Sequence, residues 1–239
     1  MIEKAKEYLS SDNLNIAEVA YQLGFEHPQS FTKVFKKKTN LTPIEFKQNF
    51  QKKLIMSYCN AIENMQPAER KALHKNYHDN HYGFPIHDDN ELFGRLIMEI
   101  NQAGLSWETI LKKEDSFRKA YDNFNIKKVA NYSEKDRERL LSDAGIIRNK
   151  LKVNAAIENA KTIIELQKEF GSFEKWLEHH HPKTKEEWVK LFKKTFRFTG
   201  GEIVNEFLMS IGYLNGAHSE NCKIQEKIVK QNPMWLVKK

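Results

Sequence analysis

From Asp88 onward the chain writes out a helix with an acid on its buried edge, and few folds can accept that combination. Leu92, Phe93, Leu96, Ile97 and Ile100 recur at helical spacing, so other elements must cover this face. Asp88, three residues ahead of Glu91, supplies the start signal. Glu99 lies seven residues after Leu92 and three after Leu96, which brings its carboxylate out beside the apolar face. An ionised carboxylate there is costly unless something pairs with it. Two readings stay open: an ion pair with Arg95, one turn back, or a carboxylate awaiting a ligand in an aromatic pocket. Tyr77, Tyr82 and Trp107 would line such a pocket. The stretch ahead of the helix, residues 77–85, reads as a polar, aromatic loop punctuated by Gly83 and Pro85.

The first 50 residues read as short helices. Ile2, Ala5 and Leu9 mark the first; Asn15 caps the second, which Gly24 closes. Pro28 opens a third, with Phe31, Val34 and Phe35 inward and Gln29, Ser30, Thr32, Lys33 and Lys36 pointing elsewhere. A capping box from Thr42 to Glu45 opens a fourth, with Phe46 and Phe50 inward. From Gln51 to Leu73 the pattern stays helical, interrupted at Pro67, with a composition shift near Met56. After Trp107, Ser133 starts a helix ending near Gly145, and another runs to about Phe170, closed by Gly171. The adjacent His179, His180 and His181 cannot converge on one ion from a helix end and read as structural or solvent-facing.

Charge is localised. The net charge is +7, yet residues 1–26 carry −3, and residues 27–53 hold seven lysines against Glu45 alone, for +6. That suits a polyanionic partner, although a merely solvated basic face would look the same. No run approaches the roughly 20 apolar residues a bilayer span needs, and the N-terminus is not a signal peptide. Two cysteines far apart argue against a secreted disulfide framework, so a soluble, cytoplasmic protein with no membrane association is expected.

The motifs YHDNHYG (77–83), the apolar helix with Glu99, QAGLSW (102–107), DAGIIRNK (143–150), FRFTGG (196–201) and HSENC (218–222) together resemble DNA-3-methyladenine glycosylase I over about residues 56–227. Residues 16–47 resemble the second helix-turn-helix of AraC-type transcription regulators, whose module normally carries two such units. The implied fold is all-α: a helix-hairpin-helix-type DNA glycosylase domain with a zinc site over 56–239, preceded by a partial helix-turn-helix segment over 1–50.

The resemblance implies roles residue by residue. Glu99 would accept from the amine of a flipped base, with Trp107 stacking on it and Tyr77 and Tyr82 lining the pocket; Tyr82 stands where the family usually has tryptophan. The turn at Gly104 and Leu105 would fill the gap left by the extruded base, the bland alternative being a plain helix end. The turn at Gly145, with Arg148 and Lys150, would hold a phosphate, although taken alone it reads as a helix connection. In the regulator-like segment the helix from Pro28 would lie in a major groove, presenting Gln29, Ser30, Thr32, Lys33 and Lys36.

His218 and Cys222 are four apart and face one way on a helical turn, which suits zinc without proving it. The resemblance supplies Cys59 and His78 as the other two ligands of a structural zinc. The interval from Cys59 to His78 is longer than in the family. No aspartate follows Asp143, which fits a glycosylase limited to labile, cationic lesions. The expected activity is release of 3-methyladenine from alkylated double-stranded DNA by a monomer. Rival readings are a regulator that senses alkylated DNA through a glycosylase-derived domain, and a basic scaffold without turnover.

Overall fold

A computed structural model of the chain describes residues 1–10, 14–48 and 58–237, and every regular element among them is helical. They fall into two compact units, Met1–Ala61 and Ile62–Lys239. The expected boundary near Met56 and the inward Phe50 lie outside the described residues.

The first unit holds α1 (Ile2–Ser10), α2 (Ile16–Gln22), α3 (Pro28–Thr39) and α4 (43–48). Its core is Ala5, Leu9, Val19, Ala20, Phe31 and Phe35, with Phe25 and Phe46 packed against it. The punctuation is as expected. Asn15 and Glu18 form a reciprocal capping box, Thr42 and Glu45 another, and Pro28 occupies the first turn of α3. Gln29, Ser30, Lys33 and Lys36 are exposed together on α3. Thr32 is not free in the same way: it is half-buried, and its hydroxyl donates to the Pro28 carbonyl at 3.0 Å.

The division into units cuts through one short helix, α5 (Tyr58–Glu63), so its residues on either side of the cut share a continuous backbone. The rest is a bundle of α6 (Ala68–Asn80), α7 (Asp89–Gln102), α8 (Trp107–Leu111), α9 (Glu114–Ala120), α10 (Ile126–Ala130), α11 (Glu134–Ser142), α12 (Lys150–Phe170), α13 (Phe173–His180), α14 (Lys185–Thr195), α15 (Gly201–Ser210) and α16 (Lys223–Val229). Helix α7 is the spine. Nine of its residues from Leu92 to Asn101 are buried, Glu99 among them, and α8, α12, α13 and α15 pack around it. Asp89 ties its start to the neighbours: its carboxylate accepts from Gln167 Nε2 and from the Phe173 and Glu174 amides at the start of α13.

Two expected boundaries differ. Tyr77 and His78 are not in a loop but on the last turns of α6, whose inward face is His74, Tyr77 and His78. Buried histidines and a tyrosine carry little apolar signal, so the helical period was hidden. The helix from Ser133 stops at Ser142, and residues 143–149 run irregularly to α12, a longer connection than the expected glycine turn. Asp143 is the reason: it leaves the helix with extended backbone, and its side chain takes the Gly145 amide at 2.7 Å.

Candidate active site and metal centre

Three elements bring the aromatic site together: the end of α6, the loop 81–88 and the stretch from the end of α7 into α8. Tyr77 and Tyr82 have ring centroids 5.5 Å apart, and Tyr77 lies 5.0 Å from Trp107. Tyr77 and Tyr82 are only 5% and 8% exposed. The half-buried Trp107 keeps an indole N–H with no partner among the described residues.

Glu99 is 3% exposed, and its carboxylate makes no hydrogen bond or ion pair with the described residues. The Arg95 ion pair left open by the sequence does not form. Arg95 instead donates from Nη1 to the Tyr77 hydroxyl at 2.7 Å. Burial pushes the Glu99 carboxyl up to about 8; attraction to Arg95 opposes this, and repulsion from Glu206 adds to it. A buried acid with no hydrogen-bond partner among the described residues is a candidate functional group.

Glu206, which the sequence reading passed over, faces the same region from α15. Tyr82 donates its hydroxyl proton to Glu206 Oε2 at 3.0 Å. The signal was available, because Glu206 stands beside Ile203, Val204 and Phe207 just as Glu99 stands beside the apolar face of α7. A cavity of about 320 Å³ lies alongside, lined by His81, Glu91, Arg95 and Arg118 among others; it reaches Arg95 but not Glu99, Tyr82 or Trp107.

Past α7 the chain turns at Gly104, whose φ of +82° is a left-handed conformation that glycine adopts at least cost. The turn presents Leu105 at 41% exposure, and Ser106 then caps α8. Lys152, buried on α12 and also missed from sequence, donates to the carbonyls of Asn101 and Ala103 at 2.8 and 2.7 Å. It closes the last turn of α7 and holds the base of the Leu105 turn. Arg148 in the 143–149 connection and Lys150 at the start of α12 are exposed, while the Gly145 amide is engaged by Asp143.

On the opposite flank of Tyr82, Cys59, His78, His218 and Cys222 each offer one ligand atom, all within 4.8 Å of one another. This is the group the family resemblance implied, and it could hold a metal ion. Cys222 Sγ lies 3.7 Å from His78 Nε2 and 3.5 Å from His218 Nδ1. The other ring nitrogens are spoken for. His78 Nδ1 faces the Asp79 carboxylate at 2.7 Å, and His218 Nε2 faces the Tyr82 carbonyl at 2.7 Å. A carboxylate and a carbonyl only accept, so those nitrogens carry the protons and the inward ones are lone pairs. Gly83 makes the approach possible. Its φ is +84°, its amide donates to the Ser210 carbonyl, and an added Cβ would meet Ala217 at 2.9 Å and His218 at 3.4 Å. In the histidine triplet the buried His181 meets the Val237 carbonyl through Nε2, the half-buried His180 meets the Trp176 carbonyl through Nδ1, and His179 is exposed.

Residues 67–190 match the Methyladenine glycosylase family and residues 1–49 a Helix-turn-helix domain. DNA-3-methyladenine glycosylase 1 of Escherichia coli K12 is 34% identical over 167 residues, 62% of this chain and 89% of that protein. The DNA-3-methyladenine glycosylase of Haemophilus influenzae is 32% identical over 64% of this chain and 92% of its own length. The solved 3-methyladenine DNA glycosylase I from Staphylococcus aureus, studied for its recognition of 3-methyladenine, superposes with a TM-score of 0.61 at 27% identity, over 69% of this chain and 95% of that one. No helix among the described residues is long and apolar enough to cross a membrane.

Proposed function

The chain belongs to the methyladenine glycosylase family, and from that premise we propose that it flips 3-methyladenine out of alkylated duplex DNA and releases the base by hydrolysis. It is a DNA-3-methyladenine glycosylase with a helix-turn-helix DNA-binding segment ahead of the enzyme. The observation that carries the mechanism is the unpartnered Glu99 carboxylate beside Tyr77, Tyr82 and Trp107.

The 3-methylated adenine of a nucleotide is already a cation. Its glycosidic bond breaks with the electron pair going to the base, which leaves neutral, and the sugar cation is captured by water with loss of a proton. The enzyme's task is therefore to extract the nucleotide and grip the base. Glu99 accepts from the exocyclic amine and opposes the base's positive charge. Trp107 stacks, and Tyr77 and Tyr82 supply ring faces for the cation. Arg95 fixes the Tyr77 hydroxyl, so that ring has one orientation when the base enters. Leu105, held from below by Lys152, fills the gap in the duplex. Arg148 and Lys150 take phosphate, a role in which the engaged Gly145 amide has no part.

Zinc fits the four-ligand cluster, because two thiolates and two imidazoles with oriented outer nitrogens match a closed structural site. Cys59, His78, His218 and Cys222 would hold it and pin the C-terminal segment to the end of α6. Held by all four residues, the ion would serve the structure rather than the chemistry. The segment over residues 1–50 adds backbone affinity through Gln29, Ser30, Lys33 and Lys36, the glycosylase domain spans 56–239, and the protein acts as a monomer. The regulator reading draws on the helix-turn-helix match over residues 1–49, which the enzyme reading accommodates equally. Base release from methylated duplex DNA is the test: wild type should liberate 3-methyladenine, and a protein that binds such DNA without releasing it would refute the proposal.

A further inference from the structure

The aromatic site contains a second acid, and the proposed function makes no use of it. Tyr82 spends its only proton on Glu206 Oε2 at 3.0 Å. Its ring meanwhile stays in contact with Tyr77, which touches Trp107. Glu206 projects from α15, which packs on α7, and the charges of Glu99 and Glu206 act on each other. The groups around Glu206 do not neutralise it. Glu202, one turn back on its own helix, is another acid, and Lys185 of α14 is already paired with Glu202 at 3.1 Å. Asn205 and Tyr82 contribute only dipoles. On the Glu99 side the cation among the described residues is Arg95, whose guanidinium bonds the Tyr77 hydroxyl. Burial raises both carboxyls, so an incoming cation is what favours their ionised forms; with both ionised, the described residues of the site carry two negative charges against the one of Arg95. The deficit is one unit of positive charge.

Resting on the reading of the site as a base pocket, we propose that Glu206, acting through Tyr82, is a specificity-determining residue that makes the pocket select a cationic purine over a neutral purine of the same shape. The hydroxyl that donates to a carboxylate pushes electron density back into the Tyr82 ring, and the ring's face holds a cation more strongly. A neutral base gains nothing from either effect. Glu206 is thus a positioning residue with no need to touch the substrate. Its influence falls on which base is held, because the positive charge leaves the base as the glycosidic bond breaks.

The test uses the full chain and two small probes, 3,9-dimethyladeninium as the cation and 9-methyladenine as its neutral counterpart, with binding read by calorimetry. Wild type should favour the cation. Glu206→Gln should lower cation affinity by about three- to tenfold, the range of a partly buried cation–π contact, and leave the neutral probe within about twofold. Tyr82→Phe keeps the ring but cuts the link to Glu206, and should lower the cation preference in the same direction. In single-turnover release of 3-methyladenine, Glu206→Gln should raise the half-saturating enzyme concentration several-fold while the maximal rate changes little. An unchanged cation-to-neutral ratio in both variants would overturn the proposal, as would a wild type that binds the two probes equally. If Glu206→Gln fails to fold, Tyr82→Phe alone decides. Failure of the underlying function looks different, because wild type would then release no base from methylated DNA at all.

Discussion

Replacing Glu99 with glutamine probes the site through stability and through catalysis at once. In the folded chain burial lifts the Glu99 carboxyl to about 8, against 4.5 for an exposed glutamate. The folded value is the higher one, so the folded state holds this proton more tightly than the unfolded state does. The resulting stabilisation is complete below about pH 4.5 and is lost as pH rises to about 8. At about 1.4 kcal/mol per pKa unit, the loss across that window is on the order of 4 kcal/mol. Glu99→Gln keeps the shape and has no proton to lose. The stability of the variant relative to wild type should therefore climb by on the order of 4 kcal/mol between about pH 5 and pH 9. Denaturant melts at intervals of one pH unit would measure it. The same ionisation governs excision. The kcat/KM profile of wild type should show an acid limb near pH 8, the free enzyme's value. In kcat the limb should move lower, because a bound cation favours the carboxylate. The variant should lose the limb, and its single-turnover release should fall by about one to two decades, the worth of a charge-assisted hydrogen bond. A stability gap that does not change with pH would refute the buried, unpartnered acid. Unchanged excision per folded molecule would remove Glu99 from the site.

Protein purified without added metal should contain one zinc per chain. Cys222→Ser should lose it and melt at lower temperature; retention of zinc by Cys59→Ser would show that another group supplies the fourth ligand. Asp89→Ala removes three hydrogen bonds that join α7 to α12 and α13. It should destabilise the chain by about 2–4 kcal/mol in denaturant melts, with excision per folded molecule intact. Deleting residues 1–50 should leave base release intact at saturating DNA and flatten the salt dependence of binding by about one unit of log–log slope per lost phosphate contact; loss of release there would place those residues in the catalytic fold. Trp107→Ala should impair excision while most duplex affinity survives, as fluorescence anisotropy beside the release assay would show.

Much of this protein is local and therefore written in the sequence. Caps such as Asn15 with Glu18 act within one turn, and apolar spacing alone announces the buried face of α7. The metal group was legible for a different reason. Cysteine is scarce here, and the motifs around His78 and His218 could be matched by likeness, although the four residues are spread from 59 to 222. The tertiary structure decided who pairs with whom. Arg95 stands one turn from Glu99, so sequence favours neither partner over the other. Only the end of α6, arriving beside α7, offers the Tyr77 hydroxyl that takes the guanidinium and leaves Glu99 alone. In the same way Tyr82 and Glu206 are 124 residues apart, and nothing in either neighbourhood names the other. Burial is likewise a property of the assembled bundle: an acid at position 99 becomes an acid with a pKa of about 8 only once neighbouring helices have removed the water that would have kept it ionised.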